Sequence, residues 1–240
     1  MIKKTIRTVI VCMAVTILHT TVSAQSLSKL VSAGPSKTEI ASGIREALEA
    51  GIAAGTERLS ATDGFLLNPS VKILFPSDAQ KVESTLRGLG MNKLCDDFVV
   101  SLNRAAEEAA KEAKPIFLTA IRDMSLADAS GILMAKEPDA ATVYFKKETS
   151  VPLQERFHPV IRASLEKTGA TKHWTEIITR YNKVPFVKKM NPDLAAYATG
   201  KAIDGLFAEV AREELKIRQN AGARTSPLLQ KVFGFAQKAG

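Results

Sequence analysis

Two histidines, a cysteine and several adjacent acids are the side chains of this sequence best suited to chemistry, and their spacing limits what they can do. His158 and His173 lack the i, i+4 spacing that puts two imidazoles on one helix face around zinc. A metal site would therefore need Asp or Glu from elsewhere. Cys95 has no histidine near it in the chain, and no G-x-S-x-G turn is present to raise a serine nucleophile. Asp96-Asp97, Glu107-Glu108 and Glu213-Glu214 are adjacent acids, but neighbours on a helix point about 100° apart and do not form a general acid–base pair. Thr199-Gly200-Lys201 lacks the upstream glycine of a phosphate-cradling loop. No cofactor motif is legible. An enzyme on this chain would have to assemble its site from distant helices, with Asp97 and His158 or His173 as material.

Binding is the better-supported expectation, and it rests on three stretches. The first is residues 94–113, LCDDFVVSLNRAAEEAAKEA, the cleanest amphipathic helix in the chain. Leu94, Phe98, Leu102, Ala105, Ala106 and Ala109 share one face, and Asp97, Ser101, Arg104 and Glu108 follow one another along a polar stripe. The spacing predicts an Arg104–Glu108 contact; the stripe is either a solvated or interhelical polar face, or a place where Asp97, Asn103 and Arg104 line a polar pocket between helices. Cys95, beside the apolar face, reads as a buried small residue.

The second stretch is Arg180-Tyr181-Asn182-Lys183-Val184-Pro185-Phe186. It is either a helix C-terminus with favourably placed cations or half of an anion-binding pocket built by Arg180, Tyr181 and Lys183. The third is the basic tail. Leu228, Leu229, Val232 and Phe233 form an apolar stripe beside Lys231 and Lys238, which suits docking on the body or peripheral contact with an anionic membrane.

The elements that must position these residues begin behind an export signal. Lys3, Lys4 and Arg7 precede a short apolar core from Val9 to Leu18, and Val22-Ser23-Ala24 completes a cleavage pattern, so cleavage after Ala24 and a periplasmic location are expected. Cys12 would leave with the leader, making Cys95 the sole thiol and excluding an intramolecular disulfide. The net charge of +8 comprises the leader's three cations and the tail's five, so the body between is neutral and gives no nucleic-acid surface.

Residues 25–35 read as a flexible lead-in, and residues 36–240 as one all-helical domain. Ser36 and Glu39 form a capping box. The helix they start carries Ile40, Ile44, Leu48, Ile52 and Leu59 inward, with Gly51 and Gly55 admitting another helix closely. Asp63-Gly64 breaks it. Residues 65–75 then form a short β-hairpin or an extended apolar loop. Ser77 caps a short helix with Val82, Leu86 and Leu89 inward, which Gly90 ends. Lys114-Pro115 marks a boundary, Ser125 with Asp128 opens a helix through Met134, and Pro152 breaks or kinks the segment after Pro138. Trp174, Ile177, Ile178 and Tyr181 form a further stripe. Asn191-Pro192 opens a long helix to about Gln219 whose wide apolar arc requires burial on more than one side.

Asp63-Gly64-Phe65, Asn68-Pro69, SLNRAAE (101–107), KPIF (114–117), RYNKVPF (180–186), DGLF (204–207) and ARTSPLLQKVFG (223–234) occur in that order. This series resembles a family of exported bacterial proteins catalogued as a domain of unknown function, over residues 36–234. The resemblance implies a signal peptide followed by one helical domain, and it brings no activity, cofactor or catalytic residue. The expectation is a non-enzymatic periplasmic protein that binds an apolar or lipid-like ligand or an envelope protein. An enzyme and a structural envelope factor are the alternatives.

Overall fold

A single long helix near the C-terminus organises the chain. The computed structural model describes residues 34–183, 185–186, 189–191 and 193–239; the expected leader and its cleavage site lie outside the described residues, as does most of the lead-in. Among the described residues there are nine α-helices and no strand: α1 (Lys37–Ser60), α2 (Gln80–Gly88), α3 (Asn92–Ala110), α4 (Ala113–Asp123), α5 (Leu126–Met134), α6 (Ala140–Lys167), α7 (Ala170–Tyr181), α8 (Leu194–Gln219) and α9 (Pro227–Ala239). Residues 35–240 form one compact unit.

The apolar arc of α8 explains its central place. Leu194, Ala198, Ala202, Leu206, Phe207 and Val210 are buried, and α1, α3, α6 and α7 all pack on it. α8 buries a wider arc of its surface than α3 does. It starts later than Asn191-Pro192 suggests. Asp193 is the N-cap, accepting the Ala196 N–H at 3.0 Å, while Asn191 Oδ1 accepts the Asp193 N–H at 2.9 Å in the turn leading in.

α1 begins as read. The Ser36 hydroxyl accepts the Glu39 N–H at 3.2 Å and the Glu39 carboxylate accepts the Ser36 N–H at 2.8 Å. Its Gly51 and Gly55 face α8: a Cβ would stand 3.3 Å from Glu213 Cβ at Gly51 and 3.1 Å from Glu209 Cγ at Gly55. α5 likewise opens on a Ser125–Asp128 capping box and closes at Met134.

A break at Pro152 does not occur: α6 runs through both Pro152 and Pro159. Each proline deletes one N–H, but Phe145, Leu153, Phe157 and Ile161 are fully buried along the helix, and that packing outweighs the lost bonds. The Ser77 cap also fails: Ser77–Ala79 is a 3₁₀ turn leading into α2, with no side-chain cap on either element. Leu89 points to solvent instead of inward.

Residues 61–76 take the loop form. Phe65, Val71, Ile73 and Phe75 are buried while Leu67 and Leu74 are exposed. Asp63 adopts a left-handed φ of 69°, and a Cβ on Gly64 would come within 2.1 Å of the Arg58 carbonyl oxygen, so only glycine closes this turn.

Candidate functional site

Three structural features come forward, and the first is an enclosed apolar cavity. It lies where the end of the 61–76 loop, α2, α3 and α7 meet. Phe98 of α3 stacks on Trp174 of α7 with centroids 5.3 Å apart and planes 14° from parallel. Phe75 closes on Phe98 at 4.5 Å. Val82 and Leu86 of α2, Leu94 and Cys95 of α3, and Ile177 of α7 complete the walls of a cavity of about 30 Å³, with His173 its one further polar residue. Trp174 is only 3% exposed, yet its indole N–H has no hydrogen-bond partner. An orphan buried donor costs roughly 1–3 kcal/mol. The Cys95 thiol is buried, and desolvation raises its pKa above the ordinary value, so it acts as a small wall residue rather than a nucleophile.

The roof of this cavity is the least anchored helix in the domain. α2 contains no fully buried residue and rests chiefly on α3 and its own 3₁₀ turn. Nine residues do not hold an isolated helix in water, so α2 persists through its half-buried Val82 and Leu86. At about 1.5–3 kcal/mol for full burial of such side chains, lifting it costs a fraction of a domain's global stability.

The second feature is polar. Arg104 donates to Glu107 at 2.6 Å and to Asp63 at 2.6 Å, in place of the expected contact with Glu108, which pairs with Lys111. Hydrogen bonds to Glu107 and then Asp63 raise the Arg104 pKa further. Glu107 in turn accepts the N–H groups of Phe65 at 3.1 Å and Leu66 at 3.3 Å. Beside this cluster runs a groove of about 670 Å³ that Arg104 lines with Glu107, Glu108, Lys111, Pro159 and Lys167. The carboxylates in its wall already answer Arg104 and Lys111.

Of the residues singled out from sequence, Asp97, Asn103 and Arg104 have separate partners. Asn103 is fully buried and serves the loop: its amide oxygen accepts the Ile73 N–H at 2.8 Å, and its amide nitrogen donates to Ile73 O at 2.8 Å and Val99 O at 2.7 Å. Arg104 reaches the groove, whereas Asp97 is exposed and pairs with Lys93 at 2.7 Å. Arg180 and Tyr181 occupy the last turn of α7, and their side chains lie outside the described residues. Lys183 is exposed beyond it. Leu94, assigned inward, is 39% exposed at the cavity's rim.

The third feature is a row of buried carboxylates on α8 that periodicity did not disclose. Glu209 and Glu213 both receive Arg58, and Arg212 also reaches Glu209. Glu214 accepts the N–H groups of Ala141 and Thr142 at 2.9 Å each and the Thr142 hydroxyl at 3.0 Å, with Arg218 at 2.9 Å on the oxygen that also accepts Ala141. It therefore caps α6 from a distant helix, where the Asp139 N-cap makes no side-chain bond. A carboxylate spaced like a surface residue gives no sequence signal of such a partner.

The basic tail is occupied in the same manner. Leu229, Val232 and Phe233 are buried, and α9 packs on α1 and α5. Arg224 donates to the terminal carbonyls of α8 at Ile217 (3.1 Å) and Arg218 (2.7 Å), and Lys231 pairs with Glu39 at 2.6 Å. Of the two readings of this stripe, the packing supports docking on the body, with Leu229, Val232 and Phe233 in the domain core. Among the described residues, no group of three or more His, Cys, Asp or Glu is placed to hold a metal ion. No described helix is long and apolar enough to cross a membrane.

Fold and site together define an all-helical protein with an apolar, aromatic-walled cavity under a weakly held helix. The family described as "Protein of unknown function (DUF4197)" matches residues 34–234, and the chain belongs to it. Neither a curated protein nor a solved structure matches the chain.

Proposed function

We propose that the protein is a binding protein for an amphipathic small molecule, with an apolar chain or ring system and a hydrogen-bond acceptor, housed beneath α2. The observation that carries this reading is the apolar cavity walled by Phe75, Leu86, Leu94, Phe98, Trp174 and Ile177, together with the buried indole N–H of Trp174, which has no hydrogen-bond partner. Outward movement of α2 enlarges the cavity along its apolar wall, and an acceptor on the ligand satisfies the indole. An acyl chain with a carboxyl or ester end has that chemistry. The export signal read from residues 1–24 supports a periplasmic setting for this binding.

The test uses the protein's single tryptophan, whose emission reports this cavity alone. Titration of the mature protein with N-phenyl-1-naphthylamine, then with palmitate as competitor, should give a saturable change in Trp174 emission. Leu86→Asp puts a carboxylate into the apolar wall and should abolish the response without loss of far-UV helicity. Unchanged emission up to the probes' solubility limit, with a bare mass by native mass spectrometry, sinks the reading.

A further inference from the structure

The loop between α7 and α8 presents an aromatic side chain in a way that folding does not require. Asn182 Nδ2 donates to Met190 O at 2.7 Å and Asn182 Oδ1 accepts the Met190 N–H at 2.8 Å. Met190 is itself buried, so this pair of hydrogen bonds ties Asn182 to a residue held in the core. At the loop's tip Phe186 is 107% exposed and holds a left-handed φ of 64°, next to an exposed Pro185. A bulky residue at positive φ is a backbone outlier, and nothing in the core repays it. Lys183 and Lys189 flank the tip, both exposed and without an acidic partner among the described residues.

From this juxtaposition we propose that the tip of the 182–190 loop docks the protein on an anionic lipid bilayer. Phe186 enters the boundary between headgroups and acyl chains while Lys183 and Lys189 meet lipid phosphates. The flanking charges favour this occupant: a cation on each side of a lone aromatic complements an anionic surface, and an apolar protein groove would leave both lysines unanswered. The docking belongs to the loop and not to α9, whose apolar face is already buried. Each lysine contributes about fivefold in partitioning near an anionic surface, so the attachment is reversible and salt-sensitive. The inference stands apart from the cavity under α2 and survives or fails independently of it.

Co-sedimentation of the mature protein with vesicles tests it. Vesicles of phosphatidylcholine with about 30% phosphatidylglycerol should retain the protein at low salt, with pure phosphatidylcholine leaving it in solution, and about 0.5 M salt should release it. Phe186→Gly should lower binding about tenfold or more, from the lost aromatic burial. It should keep or raise the melting temperature, because glycine accepts the left-handed backbone freely. Lys183→Glu with Lys189→Glu should abolish retention with the fold intact. Wild-type protein that ignores the anionic vesicles, or a Phe186→Gly variant that binds like wild type, overturns the proposal. So does retention by native membranes that protease treatment of those membranes removes, which would make the tip a contact for a membrane protein.

Discussion

Asn103 gives Ile73 the two backbone hydrogen bonds that a neighbouring strand would have given it. One amide thereby lets a non-helical, apolar segment enter a helical core without orphaning its backbone. Asn182 repeats the device on Met190. Asn103→Ala leaves a buried N–H and C=O unpaired along with a small void, and should cost about 2–4 kcal/mol in urea unfolding at neutral pH. A loss below about 1 kcal/mol would mean the loop is held by Phe65 and Phe75 and not by the clamp. The sequence placed Asn103 on a helix as a candidate pocket residue beside Asp97 and Arg104 but could not assign its partner, which lies 30 residues away in a segment without periodicity.

Along α8, two glycines separated by little more than one turn face opposite demands. Gly205 lies against the loop, where an added Cβ would stand 2.7 Å from Phe65 Cε1 and 3.2 Å from Val71 Cβ. Both neighbours are buried and cannot yield. Gly200 is exposed, with nothing within 4 Å of an added Cβ. Gly205→Ala should therefore destabilise by about 1–3 kcal/mol through overpacking, and Gly200→Ala should stabilise by about 0.5–1 kcal/mol through backbone entropy. Thermal unfolding of the two variants beside wild type decides the matter, and equal shifts of one sign would contradict the packing described. Helix α2 shows the opposite limit: its 82/86 apolar spacing was legible, but its shallow packing was not, because periodicity reports a face and not what lies under it.

At the scale of the molecule, the first and last helices are joined at the surface by Glu39 and Lys231, 192 residues apart in the chain. The hydrogen bond from Lys231, reinforced by Ser36, lowers the Glu39 pKa from 4.5 to about 2. A carboxylate whose folded pKa is depressed stabilises the fold above its unfolded pKa, and the contribution disappears as pH falls through the folded value. Stability should thus decline from about pH 4.5 towards about pH 2 in wild type. Glu39→Gln should flatten that part of the curve, as measured by urea midpoints across the range. A variant with the wild-type slope would show that Glu39 is not linked to closure of α9 on α1.

The helical class and the Ser36 and Ser125 capping boxes were determined by sequence alone, because they depend on residues within a few positions of one another and local spacing encodes them directly. The sequence also marked Gly51, Gly55 and Cys95 as small residues on inward faces, but not the distant side chains they meet. Tertiary structure alone decided that α6 crosses two prolines, that Glu107, Glu209, Glu213 and Glu214 are buried, and that Asp97, Asn103 and Arg104 do separate jobs. It also placed Phe75, Phe98 and Trp174 from three distant segments around one cavity. These outcomes turn on which side chains meet across dozens of residues. A carboxylate reads as a surface group until a distant N–H or guanidinium removes the cost of burying it.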